Sequence, residues 1–369
     1  MSVRTRYIAA AIAAMAVGGM SAAHADGDNP KFRFSGFGTV GAVRSSLDTA
    51  DFVTGFQPNG PGATRKWATT TDSRLGGQVD AQLTNKLSAV VQIVSEQQWN
   101  NTYNPIVEWA NVKYEFTPDL SVRVGRIALA TYLISDARKV GYVNPAVRVP
   151  PSFYAILPIT NSDGIDASYR FHSGKVVNTT TLYYGSNEIK LAYGLLSGTP
   201  AKAKEVIGVV NNTEYGATTF HAAYHEQKLT IAPIGMISSP FKLFTLGASY
   251  DPGNWFLMGE AALDKLGGRT DRFGAYVLGG YRIGDFTPYA GYTKVRQITP
   301  IFGDSSQTGP TLGVRWNFAK NADFKLQYER VNLGQTSAGT MSLNTPAPAS
   351  GFQPGSKFTL ISAAVDFVF

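Results

Sequence analysis

The C-terminal segment, from Lys357 to Phe369, alternates between two kinds of side chain. One set of alternate positions is continuously apolar and comprises Ile361, Ala363, Val365, Phe367 and Phe369. The other set is mixed and comprises Ser362, Ala364, Asp366 and Val368. Successive side chains of a β-strand point to opposite sides. The segment is therefore predicted to be a strand with one apolar face and one mixed face.

An apolar terminal strand restricts the kind of fold around it. In a soluble protein it would leave an edge prone to aggregation. A closed barrel in a lipid bilayer has no such edge, and its outward face must be apolar with aromatic girdles. The last strand of a soluble sandwich is the alternative interpretation. The rest of the sequence favours the membrane barrel.

The N-terminal residues have the pattern of a secretory signal peptide. Arg4 and Arg6 precede an apolar run over residues 7–19, and Ala23-His24-Ala25 is a small-x-small cleavage site. We expect residues 1–25 to be removed, so that residues 26–369 form one barrel domain. Removal of two arginines and no acidic residue lowers the formal net charge from +7 to +5. A retained membrane anchor is the alternative, but the apolar run is short for one.

Composition excludes several other classes of protein. The chain has no cysteine, so disulfides, thiolate metal sites and a cysteine nucleophile are excluded. The modest positive charge is not gathered into Lys/Arg blocks, so we expect no nucleic-acid partner. No later segment approaches the ~20 apolar residues of a spanning helix, which leaves strands as the predicted membrane element.

Short alternating segments run through the mature chain, separated by two kinds of connection. The segments number sixteen: an opening strand, seven pairs joined by tight turns, and the closing strand. Alternating short and long connections are typical of an antiparallel outer-membrane barrel. Aromatic residues lie beside the short turns and are interpreted as a girdle at the membrane boundary: Phe116, Phe171, Tyr215, Trp255, Phe286, Trp316, Phe318, Phe324 and Phe369. Sixteen strands are too many for side chains to fill the lumen, so an aqueous channel is predicted.

Several short motifs, in this order and spacing, resemble the general porins of Gram-negative outer membranes, particularly those of the beta-proteobacterial type. The motifs are Phe34-Ser35-Gly36-Phe37-Gly38, Val124-Gly125-Arg126, Phe286-Thr287-Pro288-Tyr289 with Gly291-Tyr292, and the terminal Phe369. The resemblance implies a homotrimer of sixteen-stranded all-β transmembrane barrels. It also implies that a long third loop folds into each lumen and narrows it.

Residues 126–162 correspond to this third loop. The segment contains four prolines, and its many apolar residues suit packing against the inside of a barrel wall. An ordinary external flap is the alternative. Its single acidic residue, Asp136, accompanies Arg138, Lys139 and Arg148. The resemblance implies several carboxylates here in cation-preferring members, and this sequence departs from that pattern.

The selectivity of such a channel depends on the charges that line its pore. By strand parity and loop position, the predicted pore-lining residues are Arg74, Asp80, Lys113, Glu115, Arg123, Arg126, Asp136, Arg138, Lys139, Arg148, Asp166 and Arg170. A basic rim would concentrate anions, which predicts a weak anion preference. The alternative is that the arginines pair with the neighbouring acids and leave the pore nearly unselective.

The sequence therefore predicts an outer-membrane porin for passive diffusion of small hydrophilic solutes and inorganic ions. Outer-membrane lipid and lipopolysaccharide are the expected surroundings. We expect no enzyme, cofactor or metal site, because no catalytic motif is present and His221 and His225 lie ~13 Å apart on a strand. Two alternatives stay open: a substrate-specific channel for a phosphate, organic acid or sugar, and a barrel acting as an adhesin or outer-membrane enzyme.

Overall fold

The alternating segments form long antiparallel strands in a computed structural model that describes residues 30–192, 194–268, 270–298, 304–339 and 351–369. In the described residues one sheet contains seventeen strands, of which β2 has only two residues. The other sixteen build the barrel, which confirms the predicted number. The strands are β1 (Lys31–Ser45), β2 (Trp67–Ala68), β3 (Arg74–Gln82), β4 (Leu87–Glu96), β5 (Ile106–Glu115), β6 (Leu120–Ala128), β7 (Asn161–Ser173), β8 (Val176–Lys190), β9 (Pro200–Tyr215), β10 (Thr218–Ile231), β11 (Met236–Tyr250), β12 (Trp255–Leu266), β13 (Thr270–Tyr281), β14 (Phe286–Gln297), β15 (Gln307–Ala319), β16 (Ala322–Leu333) and β17 (Lys357–Val368).

The first and last strands close the sheet. β1 pairs with β17 over nine residue pairs, from Phe37↔Val368 to Ser45↔Leu360, and with β3 on its other side. From β3 to β17, each strand pairs in antiparallel orientation with the next strand in sequence. Closure gives the backbone groups of every barrel strand a partner, which a lipid environment requires because it offers none.

The predicted alternation of β17 is confirmed. Ile361 and Phe369 lie on the outer face, where they are 42% and 69% exposed. Ser362 and Asp366 point into the barrel and are fully buried. The apolar side of this strand therefore faces outward, and the mixed side faces the lumen.

Two strands are longer than predicted. The alternation in the sequence predicts one strand that ends at Gly185 and the next that begins at Glu205, with a long loop between them. In the structure β8 continues to Lys190 and β9 begins at Pro200, so the connection comprises only residues 191–199. Charged residues occupy the outer face of this extension, with Glu188 paired to Lys202. Because polar residues on the outer face remove the alternation of apolar and polar residues, the sequence pattern ends before the strands do.

Short turns join the strand pairs at one end of the barrel, as predicted. Gly174 and Gly216 occupy such turns with φ angles of 58° and 61°, which lie in the left-handed region that glycine adopts without steric cost. Aromatic side chains lie on the outer face along this end of the barrel. Those exposed by 40% or more include Phe116, Phe171, Tyr215, Trp255, Phe286, Trp316, Phe318 and Phe369. Their placement matches the girdle predicted from the sequence.

The connection between β6 and β7 folds into the barrel. This third loop, residues 129–160, contains two single-turn 3₁₀ segments, Ser135–Ala137 and Gly141–Val143, and a short helix, α1 (Pro151–Tyr154). The expectation that it packs against the inner wall is confirmed by the buried contacts described below. The described residues include no helix that is long and apolar enough to cross a membrane.

Candidate functional site

One side of the third loop forms an apolar core with the inner wall of the barrel. Its buried side chains include Leu129, Tyr132, Ile134, Ala146, Phe153, Tyr154, Ile156, Leu157 and Ile159. They contact inward side chains of β8–β14, among them Tyr183, Leu243, Phe256, Tyr276 and Tyr289. This part of the lumen is filled, so any path for solutes lies on the opposite side.

A second apolar contact fixes another part of the loop to strands near the barrel seam. Ala137, Val140 and Val143 pack against Phe37 of β1 and Val94 of β4. The loop thus crosses the lumen instead of following one wall. A loop held at both sides narrows the channel at a fixed height.

Arg148 is the most deeply buried charged residue of the loop. Its guanidinium donates hydrogen bonds to Asp72 at 2.9 and 2.6 Å and to Ser362 at 2.6 Å, and it also pairs with Glu329. Its side chain is only 5% exposed. Arg148 was predicted to line the pore, whereas the structure places it in the packed interior as an anchor of the loop.

Lys139 has a similar anchoring role. Its ammonium group donates to Glu96 at 2.6 Å and to Glu108 at 2.9 Å. Burial alone would lower the pKa of Lys139, but the two carboxylates raise it above its ordinary value. Lys139 therefore stays charged and holds the loop to β4 and β5.

Glu260 of β12 forms hydrogen bonds with the loop on the opposite wall. Its carboxylate accepts hydrogen bonds from the Leu133 backbone at 2.8 Å, the Tyr154 hydroxyl at 2.7 Å and the Tyr276 hydroxyl at 2.6 Å. Sequence reasoning missed this residue. Parity on β12 places Glu260 inward between Met258 and Ala262, but its partner in the loop is known only from the tertiary structure.

The lowest part of the loop reaches the short-turn end of the barrel. The Gly141 carbonyl accepts from Lys325 at 2.7 Å, and the Tyr142 carbonyl accepts from Arg315 at 2.8 Å. The Tyr142 hydroxyl donates to the carbonyl of Lys320, which lies in the turn before β16. These polar contacts hold the loop against this wall of the lumen.

The other side of the lumen keeps its charged side chains accessible. Arg33 and Asp80 form an ion pair at 3.3 Å, with side chains 62% and 31% exposed. Lys113 and Glu115 form a second pair at 2.7 Å. Arg33 was missed in the sequence, although it alternates with the outward Phe32 and Phe34 and parity therefore predicts an inward position. This side offers a polar, water-accessible surface.

Three charged groups meet where the loop faces this open side. Arg123 of β6 donates to the buried Asp166 of β7 at 3.1 and 2.9 Å. Asp136 of the loop interacts electrostatically with both residues. Its Oδ1 atom is buried and has no hydrogen-bond partner among the described residues. Burial raises the pKa of Asp136; Arg123 opposes the shift and Asp166 adds to it.

The remaining predicted cations differ in their pairing. Arg74 lies 3.8 Å from Glu96, a long contact for an ion pair. Arg170 points inward between the exposed Tyr169 and Phe171 and has no salt bridge to a described residue. Arg138 donates to the Pro158 carbonyl at 2.6 Å and likewise lacks a carboxylate partner among the described residues. Arg138 and Arg170 are thus the predicted cations whose charge no described acid neutralises by direct contact.

Arg126 does not belong to the lumen. It shares its face of β6 with Val124, which is 56% exposed, and it pairs with Asp163 on the same outer face of β7 at 2.7 Å. The prediction assigned it to the start of the loop, but β6 extends to Ala128 and keeps its alternation. Arg126 is therefore an outer-face residue.

The two histidines lie inside the barrel and are buried. His225 contacts the Tyr183 hydroxyl at 2.8 Å and Gln227 at 2.9 Å, and His221 contacts Asn212 at 2.8 Å. These contacts belong to the wall against which the loop packs.

The geometry of the whole site is that of a constriction. The third loop, held by its contacts with the barrel wall, forms one side, and accessible charged side chains form the other.

Comparison with known proteins agrees with this geometry. A family model described as Gram-negative porin matches residues 9–336. The anion-selective porin from Comamonas acidovorans superimposes with a TM-score of 0.63 at 17% identity, covering 92% of this chain and all of that one. OmpF of Salmonella typhi, in complex with daunomycin, gives 0.61 at 14% identity and covers 93% and 98% of the two chains. OmpT of Vibrio cholerae in its trimer form gives 0.58 at 14% identity and covers 93% and 100%.

No curated protein sequence matches this chain. The family match extends over nearly the whole chain, and the solved porins share its sixteen-stranded barrel at low sequence identity. The protein is thus an outer-membrane channel by family and fold, and it belongs to the Gram-negative porins.

Proposed function

We propose that this porin is a passive diffusion channel for small hydrophilic solutes and inorganic ions, with a weak preference for anions. The observation that carries the preference is the pairing of the predicted lumen charges. Asp80, Glu115 and Asp166 each contact a cation, and Asp136 forms no salt bridge to a described residue. Arg138 and Arg170 contact no described carboxylate, so two unpaired cations face one unpaired acid. An uncompensated positive charge beside a narrow aqueous path raises the local concentration of anions.

A solved relative described as an anion-selective porin supports the same preference. The many ion pairs limit its strength, because a paired arginine attracts a passing anion less than a free one does. For this reason we expect a weak preference. The proposed lining of the constriction comprises Arg33, Arg74, Asp80, Lys113, Glu115, Arg123, Asp136, Arg138, Asp166 and Arg170.

Liposome swelling tests passive diffusion directly. Liposomes that contain the folded protein are diluted into neutral sugars of increasing size, and the rate of swelling is recorded. We expect rates that fall smoothly with solute size and show no saturation. Saturation by one solute, or block of ion conductance at low concentration of that solute, would favour a substrate-specific channel instead.

We also propose that residues 1–25 are a signal peptide removed during export. The basic, apolar and small-residue segments of the N-terminus support this. The intact mass of protein extracted from outer membranes tests it. A mature chain that begins at Asp26 is expected, and a chain that retains Arg4 and Arg6 would contradict the proposal.

A homotrimer in the outer membrane, in contact with lipid and lipopolysaccharide, completes the proposal. The trimer form of the Vibrio cholerae relative supports the assembly. Native mass spectrometry in detergent measures it directly. A mass of three chains is expected, and a mass of one chain under conditions that preserve barrel folding would oppose it.

A further inference from the structure

Arg138 of the third loop rests on an aromatic ring instead of a carboxylate. Its guanidinium carbon lies 5.9 Å from the centre of the Tyr154 ring, which is within the range of a cation–π contact. Its Nη2 atom donates a hydrogen bond to the Pro158 carbonyl at 2.6 Å. The two contacts hold the guanidinium at one face and at one corner.

The rest of the guanidinium reaches the water of the lumen. Its Nε and Nη1 atoms donate no hydrogen bond to a described residue, and neither atom is buried. Glu96 and Glu108 act on Arg138 electrostatically, but both carboxylates are bonded to Lys139. The positive charge of Arg138 is therefore presented to passing ions in one defined orientation.

A carboxylate on the barrel wall holds Tyr154. The Tyr154 hydroxyl donates to Glu260 of β12 at 2.7 Å, and the Tyr276 hydroxyl of β13 donates to the same oxygen at 2.6 Å. The other oxygen of Glu260 accepts from the Leu133 backbone at 2.8 Å. All three partners donate, which is the arrangement of an ionised carboxylate. Hydrogen bonds to an ionised acceptor are stronger than neutral ones, so the position of the Tyr154 hydroxyl is well determined.

Neighbouring rings restrict the orientation of Tyr154. The ring centres of Tyr132 and Phe153 lie 4.7 and 5.5 Å from the centre of the Tyr154 ring, which is only 4% exposed. The Tyr132 hydroxyl accepts from the Leu157 backbone at 2.9 Å, directly before Pro158. Side chains packed at this density leave little room for a second rotamer. One rigid frame thus carries both contacts of Arg138.

Tyr276 belongs to the same buried cluster, but the structure describes no contact between Tyr276 and Arg138. Tyr276 is 6% exposed, donates to the same Glu260 oxygen as Tyr154 and lies 5.0 Å from the Phe153 ring centre. Loss of either tyrosine removes one hydrogen bond to Glu260 and one buried ring. Only the loss of Tyr154 also removes the surface on which Arg138 lies.

We infer that Tyr154 is a positioning residue for ion selectivity: fixed by Glu260, it holds the Arg138 guanidinium at the constriction. This role rests on the proposed contribution of Arg138 to anion preference and extends that proposal to the closed wall of the lumen. An unrestrained arginine samples many rotamers, so its charge is spread over a larger volume and acts less on a passing anion. Tyr154 and Glu260 thus influence permeating ions that they do not touch.

The zero-current potential of matched variants under a KCl gradient tests this role. Tyr154→Leu and Tyr276→Leu are each made in the wild-type chain and in an Arg138→Ser background. Single-channel conductance and its noise are recorded for every variant, and they report any general loosening of the loop. Heat-dependent migration on gels verifies that each barrel is folded.

We expect Tyr154→Leu to remove at least about half of the anion preference that Arg138→Ser removes, whereas Tyr276→Leu should leave the potential close to that of wild type. In the Arg138→Ser background, Tyr154→Leu should cause no further shift, because residues that act through one contact are not additive. Equal shifts from the two tyrosine variants would overturn the role of Tyr154 in favour of a general loosening of the loop. A shift that persists without Arg138 would overturn it as well.

Arg138→Lys provides a second measurement that does not depend on the folding of Tyr154→Leu. Lysine keeps the positive charge but has no planar group to lie on the tyrosine ring, so about half of the anion preference should be lost. A wild-type potential in Arg138→Lys would overturn positioning by Tyr154. If Arg138→Ser shifts the potential and Tyr154→Leu does not, only the role of Tyr154 fails. If Arg138→Ser itself has the wild-type potential, the proposed contribution of Arg138 to selectivity fails with it.

Discussion

Arg148 and Asp72 form a buried, two-point ion pair that joins the middle of the third loop to the residues preceding β3. The guanidinium donates to the two carboxylate oxygens at 2.9 and 2.6 Å, and the side chains are 5% and 2% exposed. Bidentate pairs of this kind fix geometry as well as adding energy. The height of the constriction therefore depends on a contact that no solute touches.

Replacement of Arg148 by Met should loosen the loop. The change leaves Asp72 and Glu329 buried without their cation, and we expect a loss of about 3–5 kcal/mol in the free energy of unfolding. Urea unfolding in lipid vesicles measures this, and single-channel recordings should show a larger or noisier conductance.

The matched control is Arg126→Met, which removes an arginine from the exposed pair with Asp163. An exposed pair contributes about 1 kcal/mol or less, so stability and conductance should hardly change. Similar losses in the two variants would mean that Arg148 does not anchor the loop more than a surface ion pair would.

Arg138 and Arg170 should determine the sign of the selectivity. The double variant Arg138→Ser and Arg170→Ser removes the cations that have no described carboxylate partner, and the anion preference should disappear or reverse. The zero-current potential under a KCl gradient measures the change. Arg44→Ser, on the outer face, serves as the control and should leave the potential unaltered. A double variant with the wild-type potential would remove both residues from the constriction.

Asp136 should make selectivity depend on pH. Burial raises its pKa, so the carboxylate accepts a proton at a higher pH than an exposed aspartate with a pKa of about 3.9. As pH falls through this raised pKa, the constriction loses a negative charge and the anion preference should increase. Selectivity recorded between about pH 7 and pH 4 tests this, and Asp136→Asn should abolish the transition at this residue.

The raised pKa of Asp136 should also affect the stability of the fold. A carboxyl group whose pKa is raised in the folded state stabilises the fold when protonated, and that stabilisation is lost as pH rises through the raised pKa. Asp136→Asn should therefore be more stable than wild type at pH 7. A less stable variant would indicate that the charged form of Asp136 makes favourable contacts.

Phe369 should stabilise the folded barrel through its backbone as well as through its ring. It exchanges two backbone hydrogen bonds with Gly36, at 2.9 and 3.0 Å, where β17 meets β1. Deletion of Phe369 removes both bonds and should cost about 1–3 kcal/mol, since each contributes about 0.5–1.5 kcal/mol. Phe369→Leu keeps the bonds and should cost less. Refolding yield and urea unfolding in vesicles separate the two variants, and equal losses would assign the effect to the ring alone.

The sequence predicted the barrel well because each strand separates two environments. On β17 the outward positions had to be apolar and the inward ones could be polar, so Phe369 and Asp366 were assigned to the correct faces. Alternation ceases to be informative where both faces are polar. For that reason the sequence pattern predicts a loop where the ends of β8 and β9, with Glu188 and Lys202, continue the sheet.

The site was less predictable because its contacts connect distant parts of the chain. Parity placed Arg123 and Asp166 inward, and the same parity extended by one more pair would have placed Arg126 outward with Val124. Parity cannot show which acid neutralises which cation. The anchoring of Arg148 by Asp72 and Glu329 depends on the path of the loop through the lumen, which local sequence does not determine.

The zero-current potential of the purified wild-type protein in a planar bilayer, under a KCl gradient, tests the central claim most directly. A water-filled constriction with excess positive charge predicts a modest potential of the sign expected for chloride preference. A potential of the sign expected for potassium would show that the lumen carboxylates outweigh Arg138 and Arg170, and would contradict the proposed selectivity. The absence of any conductance from the folded barrel would contradict the open channel itself.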